Sequence, residues 1–252
     1  KAMKIIGTIK RLNSILPRSS LLTIYKSFAR PHLDYGDVIY DQPNNQGFVD
    51  KIESVQYDAA LAITGAIRGS SKIKLYKEIG LESLRDRRWM RRLSFFYKIV
   101  SNRSPSYLFN SLPPRTISQR YPNCFNSYRC RTVSFQNYFF PYSVIQWNKL
   151  SPDIRNSNSY PTFRNNLLKL IKPLENSIYN IHDPLGIKLL TRLRLDFSHL
   201  REHKFRHNFR DTLNPICNCS LEPENTSHFL LHCRNYDNLR LTLMSDLNMI
   251  DS

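Results

Sequence analysis

Apolar residues recur every three or four positions over most of the chain, and that spacing predicts a mainly α-helical protein. Met3, Ile6, Ile9, Leu12 and Leu16 mark a first helix that stops at Pro17, which cannot continue one. Ser19 or Ser20 is placed to cap a second, whose apolar side carries Leu22, Tyr25 and Phe28 and which meets Pro31. After turn-rich residues 42–47, Phe48, Ile52, Val55, Ala59 and Ile63 predict a third helix ended by Gly65 and Gly69. A short basic helix over 72–79 is closed by Gly80. A longer one begins near Glu82, with Leu84, Met90 or Arg91, Leu93, Phe96 and Tyr97 as its buried side.

The pattern then changes. Residues 101–131 are rich in Ser, Pro, Asn and Arg and read as a basic linker or long loop, carrying Arg115, Arg120, Arg129 and Arg131. Cys124 and Cys130 sit in it without a nearby histidine and read as structurally incidental. Residues 132–142 are β-branched and aromatic, which predicts a short strand or hairpin followed by a turn. Trp147 anchors the next stretch, and Phe163, Leu167, Leu170 and Ile171 mark a helix ending before Pro173. From Asp183 and Pro184 a single helical run is expected to reach about residue 209. The expected organisation is a helical domain over 1–100, a linker over 101–131, an aromatic-rich connecting segment over 132–180, and a basic helix with a small metal module over 181–252.

Charge narrows the partners. Lys and Arg number 37 against 20 Asp and Glu, a net charge of +17. A surplus of that size implies a polyanionic partner, RNA or DNA first. No apolar run reaches the ~18 residues of a membrane span, and no signal peptide opens the chain, so no membrane partner is expected. Five cysteines, an odd number, argue against a closed disulfide framework and suit a reducing, intracellular setting, nuclear or cytoplasmic. Lys1 is not an initiator, and the first residues read as mid-helix, so the chain is expected to be a piece of something longer.

Three groups of residues carry candidate chemistry. Cys217-x-Cys219-x8-His228-x4-Cys233 is a compact set of soft ligands suited to one tetrahedral, structural zinc. The tight Cys-x-Cys requires a sharp turn, for which Pro215 and Asn218 are suitable, and His228 and Cys233 fit one helical turn. The plainer reading is buried thiols and a core or capping histidine. In the second group, Arg85, Arg87, Arg88, Arg91 and Arg92 stand five in eight positions with only Asp86 against them. They form either a solvated face or a phosphate-gripping helix. The third group is His199, His203 and His207, which fall on one face of the expected helix among Arg192, Arg194, Arg201, Lys204, Arg206 and Arg210. With no acid beside them, that face is expected to meet phosphate or solvent rather than metal.

Four patches resemble, in order, the C-terminal region of the reverse transcriptases of non-LTR retrotransposons of the jockey-like kind. They are I-Y-K-S-F-A-R-P-H-L-D-Y-G-D-V-I-Y, G-L-E-S-L-R-D-R-R-W, F-F-P-Y-S-V-I-Q-W-N-K-L, and L-R-L-D-F-S-H-L-R-E-H-K-F-R-H-N-F with the Cys/His set. The resemblance implies a thumb-like helical bundle and connection ending in a zinc knuckle, downstream of a polymerase palm in the same polyprotein. In that family the palm holds Mg²⁺ on an aromatic-Ala-Asp-Asp motif, and this chain has no Asp-Asp pair. Asp34, Asp37 and Asp41 read as caps or solvated acids. The expectation is therefore a fragment of an RNA-directed DNA polymerase that is non-catalytic on its own, binds no Mg²⁺ itself and grips template–primer, element RNA or target DNA. A degenerate remnant without function and a domesticated protein-interaction module are the alternatives.

Overall fold

A computed structural model describes residues 1–117, 123–171 and 183–248. The expected helix end before Pro173 and the side chain of Arg120 lie outside the described residues. The chain is a mainly α-helical bundle, and the β pairing among the described residues amounts to two isolated bridges, Arg115 with Phe125 and Ile216 with Pro223. No described helix is long and apolar enough to cross a membrane.

The first half runs α1 (Ala2–Leu12), α2 (Arg18–Ile24), a π-helical turn (Tyr25–Ala29), α3 (Arg30–Asp34), α4 (Asp37–Tyr40), α5 (Gln46–Thr64) and α6 (Lys72–Ile79). Pro17, not Ser19 or Ser20, precedes the first residue of α2, and no side chain caps that helix. The π widening lies directly before Pro31, whose ring would clash with the carbonyl four residues back in a regular α-turn. It carries the helix past Pro31 and leaves Phe28 exposed. Gly65 and Gly80 end α5 and α6 in the left-handed conformation that glycine adopts without steric cost. Ile6, Ile9, Leu21, Tyr25, Ile63 and Ile79 meet in a first core.

α7 (Leu84–Val100) starts at Ser83, whose hydroxyl accepts from Asp86 N–H at 3.0 Å, and joins the first half to the second. The second half adds α8 (Ser106–Asn110), α9 (Val133–Asn137), α10 (Phe139–Lys149), α11 (Pro152–Arg155) and α12 (Tyr160–Leu170). Phe96, Tyr97, Val144, Trp147, Phe163 and Leu167 form a second, aromatic core. Residues 123–131, expected within a linker, bring Phe125 into that core. Asn148 clamps both backbone groups of Phe125, at 3.0 and 2.8 Å, and Trp147 Nε1 donates to Asn123 O at 2.9 Å.

The strand expected over 132–142 is helix instead. Thr132 Oγ1 caps α9 by accepting from Phe135 N–H at 3.2 Å, and Val144 and Trp147 then reach the second core three residues apart. Within 132–142 only Phe139 and Phe140 pack against that core and α9 buries nothing, so the cap at Thr132 and the anchoring of α10 set the helix against the β preference of the aromatic residues.

The last part holds α13 (Pro184–Arg194), α14 (Arg201–Arg206) and α15 (Asp237–Asn248). The single run expected from 184 to 209 is broken: Asp196 takes a positive φ of 53°, Phe197 N–H bonds Arg192 O at 3.1 Å, and Leu195 turns into the first core. Burying Leu195 favours the break over a longer solvated helix.

Candidate metal centre

Cys217 and Cys219 sit on a tight hairpin. Cys217 N–H donates to Glu222 O at 2.9 Å, Ser220 N–H to Cys217 O at 2.8 Å, and Glu224 N–H to Pro215 O at 2.8 Å. Ser220 completes the turn at φ 60°. This is the sharp reversal that a one-residue spacing between two thiols requires. His228 and Cys233 come from a π-helical turn (His228–His232), begun by Asn225 Oδ1 accepting from His228 N–H at 2.8 Å. Five residues along an α-helix would rotate the second ligand about 140° away from the first. The π-turn, closed by Cys233 N–H on His228 O at 2.8 Å, brings both to one side.

The four ligand atoms lie within 4.8 Å of one another. Cys217 Sγ is 3.5 Å from Cys233 Sγ, and Cys219 Sγ is 3.2 Å from His228 Nε2. With metal–sulfur bonds of about 2.3 Å the edges of a tetrahedron are about 3.8 Å, so the set is suited to one metal ion. Cys217, His228 and Cys233 are buried and Cys219 is half-buried. Burial pushes the Cys217 thiol up to about 11. The hydrogen bond from Leu221 N–H, followed by those of the neighbouring ligands, draws Cys219 down to about 7.

The residues that brace this centre carry no signal in the sequence. Glu222 Oε2 is 3.3 Å from His228 Nδ1, the side turned away from the other ligands. Nδ1 is buried and makes no hydrogen bond among the described residues, so this carboxylate is the group placed to take its proton when Nε2 ligates. Glu224 Oε2 accepts from Arg201 N–H at 2.9 Å and docks the hairpin on α14. Arg240, on α15, donates to Cys233 O at 2.6 Å.

The arginine cluster is turned inward. Arg87 grips Asp34 with Nε and Nη2, at 3.0 and 2.8 Å to Oδ2, and Glu82 with Nη1 at 2.7 Å. Arg88 meets Asp41 at 3.0 Å and Arg91 meets Asp37 at 2.8 Å. Arg92, buried, donates to the carbonyls of Val38, Asp41 and Asn137 and lies 4.9 Å over the Tyr142 ring. Asp34, Asp37 and Asp41 are thus buried ion-pair partners and not caps or solvated acids. Arg85 alone of the five is exposed, and its side chain makes no hydrogen bond or ion pair among the described residues.

The basic C-terminal residues are spread. Arg192 donates to Gly65 O at 2.9 Å and Arg194 meets Glu78 at 3.4 Å, both against the first half. Arg201 reaches Asn218 in the metal hairpin. Lys204 pairs with Asp211 at 2.7 Å and Arg206 with Glu202 at 2.5 Å, whereas Arg210 is exposed. The three histidines do not share a face. His199 lies in the break after α13, His207 stacks on Phe197 at 3.9 Å, and His203 is buried with Nδ1 2.9 Å from Ser198 Oγ. Burial lowers the His203 pKa. No family model, curated protein or solved structure matches the chain.

Proposed function

We propose that this chain is a nucleic-acid-binding fragment that does not polymerise by itself and whose C-terminal Cys3His cluster holds one structural zinc. The four patches that resemble the C-terminal region of non-LTR retrotransposon reverse transcriptases support a position downstream of such an enzyme's palm, where the chain would hold RNA or DNA for it. The observation that carries the binding reading is the net charge of +17. Internal pairing neutralises Arg87, Arg88 and Arg91 against acids, while Lys4, Lys10, Arg85 and Arg210 stay exposed. A surface with that excess attracts polyphosphate.

Three thiolates and an imidazole select zinc over the harder divalent ions, and a site with all four positions filled by protein is structural rather than catalytic. The direct test is binding of a structured RNA and of a duplex DNA between 50 and 200 mM salt, taken as roughly the range over which phosphate contacts lose their strength. Log affinity should fall linearly with log salt on both, and metal analysis should return one zinc per chain. Absence of binding at the low-salt end, or a chain expressed with zinc that carries none, would overturn the corresponding half of the proposal.

A further inference from the structure

Between Asp86 and Asp153 the chain carries no carboxylate side chain and eleven Lys or Arg. Arg87, Arg88 and Arg91 are held on Asp34, Asp37 and Asp41, and Arg115 reaches Asn123 at 3.0 Å. Arg129 and Arg131 are exposed, with no hydrogen bond or ion pair among the described residues. Beside them stands a run of aromatic rings. Tyr128 donates its hydroxyl to Ser111 O at 2.7 Å and meets Phe135 edge-on at 6.5 Å; Phe135 in turn meets Tyr138 at 6.1 Å. Phe135 is 40% and Tyr138 60% exposed.

We propose that this strip, Tyr128–Phe135–Tyr138 flanked by Arg129 and Arg131, is a docking surface for a single-stranded polynucleotide. The inference rests on the nucleic-acid reading above and assigns a surface and a strand state to it. Bases stack on the open faces of Phe135 and Tyr138, while the two guanidiniums take the phosphates on either side. Every base has a π-face, so such a platform accepts a strand without regard to sequence, whereas bases paired inside a duplex cannot lie on it. The rings are fixed before binding by their mutual contacts and by the Thr132 cap on Phe135 N–H, so little side-chain freedom is lost on docking. None of these groups distinguishes ribose from deoxyribose, so RNA and DNA strands of equal length should bind alike.

The experiment is fluorescence anisotropy of the whole, zinc-loaded chain with labelled oligouridine and oligothymidine dodecamers and a blunt DNA duplex, each over a salt series. F135A/Y138A changes no charge. It should weaken single-strand binding by about tenfold or more, base–aromatic stacking being worth ~1–3 kcal/mol per base, while leaving the salt slope and the duplex affinity unchanged. F135L/Y138L keeps apolar volume without a ring face and should show the same loss, separating stacking from packing. R129A/R131A should reduce the single-strand salt slope by about 1.4, at roughly 0.7 per phosphate contact. Single-strand affinity of both ring variants within twofold of wild type, or an equal loss on the duplex, would overturn the assignment while nucleic-acid binding itself stood. A wild-type chain that binds none of the three probes would remove both. Capture of an acidic peptide that the oligonucleotides fail to displace would give the surface to a protein partner and overturn the proposal.

Discussion

At the scale of single residues the metal centre divides its work unequally. Cys219, drawn down to about 7 by the Leu221 N–H, gives a thiolate near neutral pH, whereas burial raises Cys217 to about 11 and the metal must displace its proton across the physiological range. Metal binds the deprotonated ligands, so affinity should rise with pH. Below about pH 7 a further proton has to leave Cys219, and the plot of log zinc affinity against pH should steepen there by at least about one. Chelator competition between roughly pH 5.5 and 8.5 measures this, and a constant slope would mean that Cys219 titrates elsewhere. Glu222 stands behind the imidazole, 3.3 Å from Nδ1, rather than on the metal side. Glu222→Ala should lower zinc affinity by about 10- to 100-fold, as removal of a carboxylate behind a ligating histidine does. Cys219→Ser should abolish tight binding, and Cys124→Ser, in the second half, should leave metal content unchanged. The four ligands were legible because they fall within a short window of sequence. Glu222 was not, because a carboxylate three residues from a cysteine looks like any exposed acid until the hairpin turns it toward His228.

At the scale of elements α7 is the joint, and its five arginines have different tasks despite adjacent positions. Arg88 is buried against Asp41, so Arg88→Ala leaves an unpaired buried carboxylate and should cost about 3–5 kcal/mol. Arg85 points to solvent, and Arg85→Ala should move stability by less than about 0.5 kcal/mol. Urea unfolding of the two variants compares them directly, and equal losses would mean that the cluster behaves as one solvated face. Helices α1, α5, α6, α7 and α12 could be read from apolar spacing and from Gly65 and Gly80, because those signals are local. The inward turn of α7 could not. Asp34, Asp37 and Asp41 lie about fifty positions away in sequence from the arginines they meet, and local composition showed a basic helix and a turn rich in acids without the pairing between them. The same limit applies to 132–142, where the aromatic side chains favoured a strand and Phe139 instead meets Phe95 and Phe96, partners more than forty positions away, at 5.4 and 6.3 Å.

At the scale of the whole molecule, two packed cores support a third part that has less apolar surface of its own. The first two draw stability from large buried side chains such as Ile63 and Trp147, at 2% and 1% exposure. The hairpin and π-turn around the metal expose Ile216, Leu221, Leu230 and Leu231, and are held to the preceding helices by Glu224 on the Arg201 N–H, by Arg201 on Asn218 and by Thr226 on Leu193 O. Where apolar burial is that thin, metal-binding free energy becomes local folding free energy. Chelation should therefore leave the two cores intact and release only the last part. Amide hydrogen exchange reads this residue by residue. The N–H groups of Cys217 and Cys233, held on Glu222 O and His228 O, should lose protection when the metal is removed, while those within α5 and α7 keep theirs. Loss of protection throughout the chain would show that the metal supports the cores as well. Unchanged protection at Cys217 and Cys233 would show that the ligands are organised by packing alone, and the Cys3His set would then be buried thiols beside a core histidine.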